Sequence, residues 1–575
     1  MTKMPSKFFN IAGVCNPLRH YMLPPLPRLS DVDDLITREQ YFVIHAPRQS
    51  GKSTCLDALV NKINNDGQYY AFSCSLATLR DAVDNATAMS EIVAKINRAL
   101  RYSRVVQLRD LAYKFNDEEY MADPGEKVQG MLSDMCMALD RDLVVFFDEA
   151  DCLQESPLIK FLGQVRDGYL ERSQLSSCAK FPRAMALVGM RDIRDYLTKV
   201  RPENASQGPG GSPFNVKSLK PLTLTDFTRG EIIALYGQHT GETGQVFDYG
   251  AIDRAWYWSE GQPWLVNALA NYVIYEQFKS DYSKTVTGAD IDLAARSLIL
   301  INPTHYDSLM ERLREPRVRR VMDAVIAGEK RFPRGVSSDD KGYVIDLGLL
   351  KAQIVNGITS LRPSNATYRE LIIRFLTRDI QDDIPEEFQN KWMDGTSLDM
   401  DSLLKAFQLY WRENSKAQAT KIKTINSDVK DLADNLLKVQ ESKVTNEIRA
   451  EFIEKVNYLI TDISGEAYAH LVLFAFLQRV LNGGADVIQR EYALGLTRAD
   501  ICVSYKGIRY PLELKIKGAM TREQSIKQIL GYMDTCGSSV GWLIVFDKDT
   551  KKLWEEKIFW ETKELDGKII HVVGC

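Results

Sequence analysis

A short apolar run, Tyr41 to Ile44, leads directly into Ala46-Pro47-Arg48-Gln49-Ser50-Gly51-Lys52-Ser53-Thr54, and a helical pattern follows from Cys55 to Ile63. A strand that hands over to a helix through a glycine-containing loop gathers backbone N–H groups and a helix N-terminus around one point, and such a point holds phosphate. The spacing matches GxxxxGK[ST], except that Ala46 stands where the pattern has its first glycine, a difference of one methyl group. In this reading Ala46, Arg48, Gln49, Ser50 and Gly51 shape the cradle. Lys52 reaches the β and γ phosphates of ATP, Ser53 ligates Mg2+, and Thr54 contacts the α phosphate.

Two more apolar runs, Leu143 to Phe147 ending at Asp148 and Ala184 to Val188 ending at Gly189, are separated by helical stretches. Runs apolar throughout belong to strands covered on both faces, so the expected fold class is α/β with a parallel sheet. Asp148 then stands at a strand end where it can hold the magnesium shell, with Glu149 orienting or activating the attacking water. The plainer alternative is an exposed acidic turn. Arg191, just past the third strand, is placed to sense the γ phosphate, or else pairs with Asp192 or Asp195 on the surface. Asp148-Glu149-Ala150-Asp151 spells the signature of DEAD-box helicases, but no Ser-Ala-Thr motif and no second helicase lobe follow it.

At 575 residues the chain exceeds the roughly 250 to 300 that one core serves, so several domains are expected. The net charge of -4 gives no global field for nucleic acid, and any such binding needs a local groove. Nine cysteines without CxxC pairs suggest reduced, mostly buried thiols. No apolar run approaches the ~20 residues that span a bilayer, and the start breaks at Asn10 and Gly13 before a signal-type stretch forms. A cytoplasmic protein with no membrane partner is expected.

The order of HAPRQSGKST, VVFFDEAD, LVGMRD and then Glu260-Gly261-Gln262-Pro263-Trp264-Leu265 resembles the AAA-like, STAND-type ATPases, which use nucleotide as a conformational switch. The resemblance implies an ATPase core over residues 1–222 and a helical lid over 223–305, with helices at Asp226 to His239 and Ala251 to Phe278. It also implies that Pro263 closes over the base and that Arg19 to Pro25 line the adenine pocket. The alternative for Pro263 is a helix N-terminus with proline near its first position. The Gly- and Pro-rich stretch Pro202 to Pro213 reads as a surface loop. Residues 306–380, with a helix, a second helix ending at Leu349, and Gly357 to Leu361 leading to another helix, suggest a winged-helix-like module. Ser338-Asp339-Asp340 at the start of its second helix argues against phosphate contact there. The cluster Arg314, Arg317, Arg319 and Arg320 offers either a phosphate contact or a solvated helix face.

Residues 381–456 read as a helical linker, and Ile422, Ile425, Val429, Leu432, Leu436 and Val439 alternate steps of three and four. This short seam fits packing within its own domain or a dimerising coiled coil. In residues 457–575, Glu466 lies on an apolar helix, Asp500 heads a strand, and Glu513-Leu514-Lys515 sits on the next. Alternation places Glu513 and Lys515 on one face, where Asp500 and Glu513 can share Mg2+ while Lys515 polarises the attacking water. The set resembles the PD-(D/E)XK nucleases, with Ala499 in place of the conventional proline. Gln528 and Tyr532 on the next helix are similar to the Gln-x-x-x-Tyr of an exonuclease-like branch, in which they support the substrate and the lysine. The alternative is a solvated strand face whose Glu and Lys only pair.

These features together imply an ATP-dependent switch that controls a magnesium-dependent nuclease acting on nucleic acid, DNA foremost, with defence against foreign DNA as a suggested role. The rival is a signalling or scaffold ATPase whose C-terminal domain binds nucleic acid or protein without cutting. A homo-oligomer stays open, since no arginine is identifiable by spacing as a finger from a second subunit.

Overall fold

The computed structural model describes residues 5–29, 31–81, 84–114, 126–153, 155–189, 222–301, 304–326, 332, 336–355, 358–376, 392, 397–412, 469, 472–473, 475–477, 480, 489–492, 501–505, 508–518, 521–547, 549 and 552–575. Arg191, Glu466, Asp500, the Pro202 to Pro213 stretch and the Ile422 to Val439 seam lie outside them. The chain divides into two compact units. The first comprises Met1–His305, Lys341–Ala352 and Arg362–Arg369, and the second comprises Tyr306–Asp340, Gln353–Leu361 and Glu370–Cys575.

In the first unit β1 (Tyr41–His45), β2 (Tyr70–Ser75), β3 (Leu143–Asp148), β4 (Ala184–Gly189) and β5 (Leu222–Thr223) form one sheet in the order β2-β3-β4-β1-β5, and every pairing is parallel. The expected α/β class is therefore observed. All six residues of β3 and all six of β4 are buried. Alternation sends Leu143, Val145 and Phe147 into a core with the Asn85–Arg101, Lys127–Ala138 and Glu155–Arg172 helices. Val144 and Phe146 enter the opposite core, where Cys55, Leu56, Leu59 and Ile63 of the Lys52–Asp66 helix pack.

Beyond the sheet, helices span Arg229–Thr243, Tyr249–Ser259, Pro263–Asn271 and Gly288–Ile301. The first begins three residues later than the sequence pattern suggests, because Thr228 and Glu231 form a capping box that fixes its start. The expected long helix from Ala251 is interrupted at Glu260 (φ 42) and Gly261 (φ 81). A side chain on Gly261 would overlap the Phe227 carbonyl oxygen, and Phe227 N donates to Gly261 O at 2.8 Å. Only glycine allows this approach.

Helices Thr304–Arg312, Pro316–Ile326 and Ser338–Asp346 precede the paired strands β6 (Leu350–Val355) and β7 (Ile358–Pro363) and the Ala366–Leu376 helix. The second helix of the expected winged unit ends at Asp346 rather than Leu349. Gly348 takes φ +78, Gly348 N closes on Ile345 O at 2.8 Å, and β6 starts two residues on.

The second unit holds a six-stranded sheet of β8 (Gln489–Tyr492), β9 (Ile501–Tyr505), β10 (Ile508–Ile516), β11 (Val540–Phe546), β12 (Trp560–Leu565) and β13 (Lys568–Gly574). Its order is β12-β13-β11-β10-β9-β8, with β10, β11 and β13 parallel and the other pairings antiparallel. Ile526, Ile529 and Met533 of the Arg522–Cys536 helix cover one face through Leu543, Ile570 and Val572. Phe407, in the helical stretch 400–412, meets Phe546 and Phe476.

Gly261→Ala should lower stability by about 3 kcal/mol or more, from left-handed backbone strain plus overlap with Phe227. Gly237, inside the Arg229–Thr243 helix with nothing within 4 Å of an added Cβ, is the control. Its alanine variant should gain about 0.5 to 1 kcal/mol. Urea unfolding of the two variants checks both signs.

Candidate functional site

The loop that leaves β1 is shaped by two left-handed residues, Gln49 (φ 57) and Gly51 (φ 89). Ala46 is fully buried in the core beside the Lys52–Asp66 helix, and its N donates to Gly189 O at 3.2 Å. The methyl that departs from the glycine pattern is therefore absorbed by packing. Gly51 caps the helix without any side-chain acceptor, which leaves the unpaired N–H groups of the first turn available to an anion. Ser50 is 2% exposed and its Oγ has no hydrogen-bond partner among the described residues. A buried orphan hydroxyl is costly unless something completes it.

Lys52 Nζ donates to Ala46 O and Pro47 O, both at 2.7 Å, so the ammonium rests on the loop's own carbonyls. Burial pulls its pKa down to about 8, against the opposing pull of Asp148, Asp151 and Glu149. Ser53 Oγ donates to Asp148 Oδ2 at 2.8 Å, and Glu149 N donates to Asp148 Oδ1 at 2.9 Å. Burial raises the Asp148 pKa, with the Ser53 bond working against it. Glu149 adopts φ 55, and Ser75 Oγ donates to its Oε2 at 2.7 Å. Ser75 can do so because β2 and β3 pair it with Asp148. The sequence reading gave Ser75 no role, since a serine at the end of a strand carries no signal until its register is known.

Beside the loop lies a cavity of about 160 Å³ lined by Tyr21, Pro25, Thr54, Phe227, Pro263 and Trp264, among others. Residues 21–25 of the N-terminal segment and Pro263 therefore meet Gly51 and Thr54 around one space, whereas Arg19 and His20 are not in its lining. Pro263 is indeed the first residue of its helix, and Gln262 Oε1 accepts from Leu265 N at 2.6 Å as the cap. Gln262 Nε2 also donates to Gln49 O at 3.4 Å, which ties this turn to the phosphate loop. The N-terminal segment is pinned by Cys15 N donating to Thr54 Oγ1 at 3.1 Å and by Trp264 Nε1 donating to Ile11 O at 2.9 Å. Arg28 was also missed by sequence. It lies 5.2 Å over the Phe227 ring, donates to Thr225 O, and stands 3.2 Å from where a Gly51 Cβ would be.

The far side of the loop is braced by the returning segments of the first unit. Gly348 packs so closely on Pro47 that an added Cβ would fall 2.5 Å from Pro47 Cβ, and His45 Nε2 is 3.7 Å from Asp346 Oδ1. Arg362 donates to both carboxylate oxygens of Glu260, at 2.6 and 2.7 Å, and Lys351 Nζ is 2.8 Å from Asp226 Oδ2.

In the second unit Glu513 (1% exposed) and Lys515 (8%) share one face of β10 and form an ion pair. Apart from that ammonium, neither Glu513 oxygen accepts a hydrogen bond from a described residue, and Gln528 Oε1 is likewise without a donor. A buried pair overturns the alternative of a solvated strand face. Gln528 and Tyr532 are half-buried, whereas Gln524 is exposed and forms the capping box with Thr521. Two arginines of the basic cluster sit beside carboxylates: Arg319 Nε is 3.1 Å from Asp323, and Arg317 lies 3.7 Å from Glu315. Asp340, which weakened the case for a recognition helix, caps that helix through Ser337, with both reciprocal bonds at 3.0 Å. Among the described residues no group of three or more His, Cys, Asp or Glu is disposed around a metal, and no helix is long and apolar enough to cross a membrane.

No family model and no curated protein matches the chain. Solved structures similar to it include the Walker-type ATPase of Pyrococcus abyssi, at 13% identity over 63% of this chain and 99% of that one, with a TM-score of 0.43. The Aeropyrum pernix ORC1 protein in complex with DNA is similar at 13% identity over 62% and 93% of the two chains, with a TM-score of 0.32. The Thermotoga maritima RuvB Holliday junction branch migration motor is similar at 13% identity over 60% and 92%, with a TM-score of 0.30.

Proposed function

We propose that this protein binds and hydrolyses ATP at the Ala46 to Thr54 loop and that its nucleotide state controls a magnesium-dependent nuclease site in the second unit. The observation that carries the first half is the Lys52–Ser53–Asp148 arrangement on an uncapped helix N-terminus. Lys52 leaves the Ala46 and Pro47 carbonyls for the β and γ phosphates, and the Ser50 hydroxyl gains the partner it lacks. Ser53 and Asp148 fit Mg2+, which is commonly held by one or two protein oxygens together with substrate phosphates. The ion would supply charge neutralisation on the phosphates. Glu149 orients the attacking water, and Ser75 positions Glu149. Arg191 serves as the γ-phosphate sensor, and Pro263 closes the base pocket together with residues 21–25 as the switch of a STAND-like lid.

The second half is carried by the Glu513–Lys515 pair. A carboxylate held dry with unfilled acceptor positions suits a divalent cation, and the adjacent ammonium suits the charge that grows on a phosphodiester in the transition state. Asp500 completes the metal ligands. Gln528 and Glu466 support the lysine and the substrate, which is DNA in the first instance. A winged-helix-like module at 306–380 relays between the two, and defence against foreign DNA is the role that joins a sensor-type ATPase to a nuclease.

Because a bound triphosphate raises the Lys52 pKa from its free value of about 8, the complex holds more protons than the free protein above that pH. Nucleotide Kd should therefore be flat below pH 8 and rise by up to about tenfold per pH unit above it. Calorimetric titration across pH 7 to 10, with Lys52→Ala lacking the dependence, checks this. Glu149→Gln should cut ATP turnover by about a hundredfold or more while nucleotide still binds, as read by phosphate release beside binding. Asp500→Ala and Glu513→Gln should each reduce magnesium-dependent DNA cleavage by about a hundredfold or more. If wild type turns over ATP yet cuts neither DNA nor RNA in any nucleotide state, the C-terminal domain binds without cutting and the scaffold reading replaces this one.

A further inference from the structure

Cys502 and Cys536 bring their sulfurs to 3.4 Å from two different elements of the second unit. Cys502 is the second residue of β9, and Cys536 closes the Arg522–Cys536 helix. The β9–β10 register sets Cys502 opposite Pro511. Residues directly opposite in an antiparallel pair point to the same side, so Cys502 shares the face of Pro511, Glu513 and Lys515. The Arg522–Cys536 helix covers that face, since Ile529 and Met533 pack on Leu543 and Leu543 pairs with Glu513. Cys502 is buried and Cys536 is half-exposed, and neither lies in a disulfide.

We infer that Cys502 and Cys536 are a reversible oxidation site whose co-reactant is a peroxide. The reachable Cys536 thiol attacks the peroxide O–O bond and becomes a sulfenic acid, releasing one water molecule from hydrogen peroxide. Cys502 sulfur then displaces the sulfenic hydroxyl, its own proton leaves with that hydroxyl as a second water, and the S–S bond forms. The two electrons lost by the thiols reduce the peroxide. A thiol already in contact with its resolving partner favours this outcome over further oxidation of Cys536. The resulting bond closes a covalent loop that contains Glu513, Lys515, Gln528 and Tyr532, locking helix to strand, and a dithiol reductant opens it again. The chemistry is the same whether or not Glu513 and Lys515 cut a phosphodiester.

The full-length protein, treated with hydrogen peroxide and denatured with alkylation, should lose about 2 Da and two alkylatable thiols out of its nine cysteines. Non-reducing peptide mapping should find Cys502 linked to Cys536, and reductant should restore all the thiols. Cys536→Ser should show no internal link while Cys502 stays alkylatable. Cys502→Ala should instead accumulate oxygen adducts on Cys536. Nine remaining thiols, a link through another cysteine such as the exposed Cys178, or a wild-type sulfinic acid at Cys536 with Cys502 still free would each overturn the inference. The wild-type map alone decides if a variant fails to fold.

Discussion

Burial of β3 and β4 from end to end decides where polar groups can stand in the first unit. Both strands have neighbours on each side and cores on each face, so no residue along them can keep water. Charge is tolerated only where the strands run out, and Asp148, Glu149 and the loop leaving β1 gather at that edge. Several groups there are satisfied by neighbours, Asp148 by Ser53 and Glu149 N, and, through sheet register, Glu149 by Ser75 and Ala46 N by Gly189, while Ser50 Oγ has no partner among the described residues. The resting ammonium of Lys52 uses two carbonyls that no strand partner needs. In the proposed reading the site is assembled before substrate arrives, and phosphate oxygens exchange with contacts the loop already makes, which keeps reorganisation small.

The second unit places charge differently. Glu513 and Lys515 lie along β10, between β9 and β11, beneath the Arg522–Cys536 helix. Two apolar side chains would pack there at no desolvation cost, and a buried ion pair is seldom a route to stability. The pair, together with a Gln528 oxygen that has no donor among the described residues, is what the proposed nuclease reading rests on, and the fold is carried by other residues. Those residues are evident: Leu512, Leu514 and Trp542 are buried, and Trp542 Nε1 reaches Asp401 at 2.7 Å.

Much of this was legible in the sequence because it is local. Uninterrupted apolar runs marked β1, β3 and β4, the loop pattern announced the following helix, though read from Cys55 where it begins at Lys52, and the period of two put Glu513 beside Lys515. What stayed hidden depends on long-range geometry. The β2 sequence, Tyr-Ala-Phe-Ser-Cys-Ser, mixes polarity and gives no run to detect. Arg28 meets Gly51 and Phe227 across many residues of chain. The end of the second helix near Asp346 was misplaced because Leu347, Leu349 and Leu350 continue an apolar pattern, while the stop is set by the positive φ of Gly348 alone. Sequence also could not tell a solvated Glu–Lys pair from a buried one, since burial there comes from a helix that begins seven residues later.

For the proposed switch, the relevant quantity is the strength of the braces on the phosphate loop. Glu260 and Arg362 meet in a two-pronged ion pair, but their side chains keep 22% and 33% of their exposure. A partly solvated pair of this kind contributes about 1 kcal/mol, and the Gln262 bond to Gln49 O at 3.4 Å is weaker than an ideal one. The Gly348 contact on Pro47 is steric and adds little energy. A triphosphate that draws Lys52 off the Ala46 and Pro47 carbonyls acts on the same two residues that Gly348 and the β1 end support. In the proposed switch, differential binding of a few kcal/mol moves a two-state equilibrium, which is enough to reverse contacts this weak but not the Gly261 turn, where a side chain would overlap the Phe227 carbonyl.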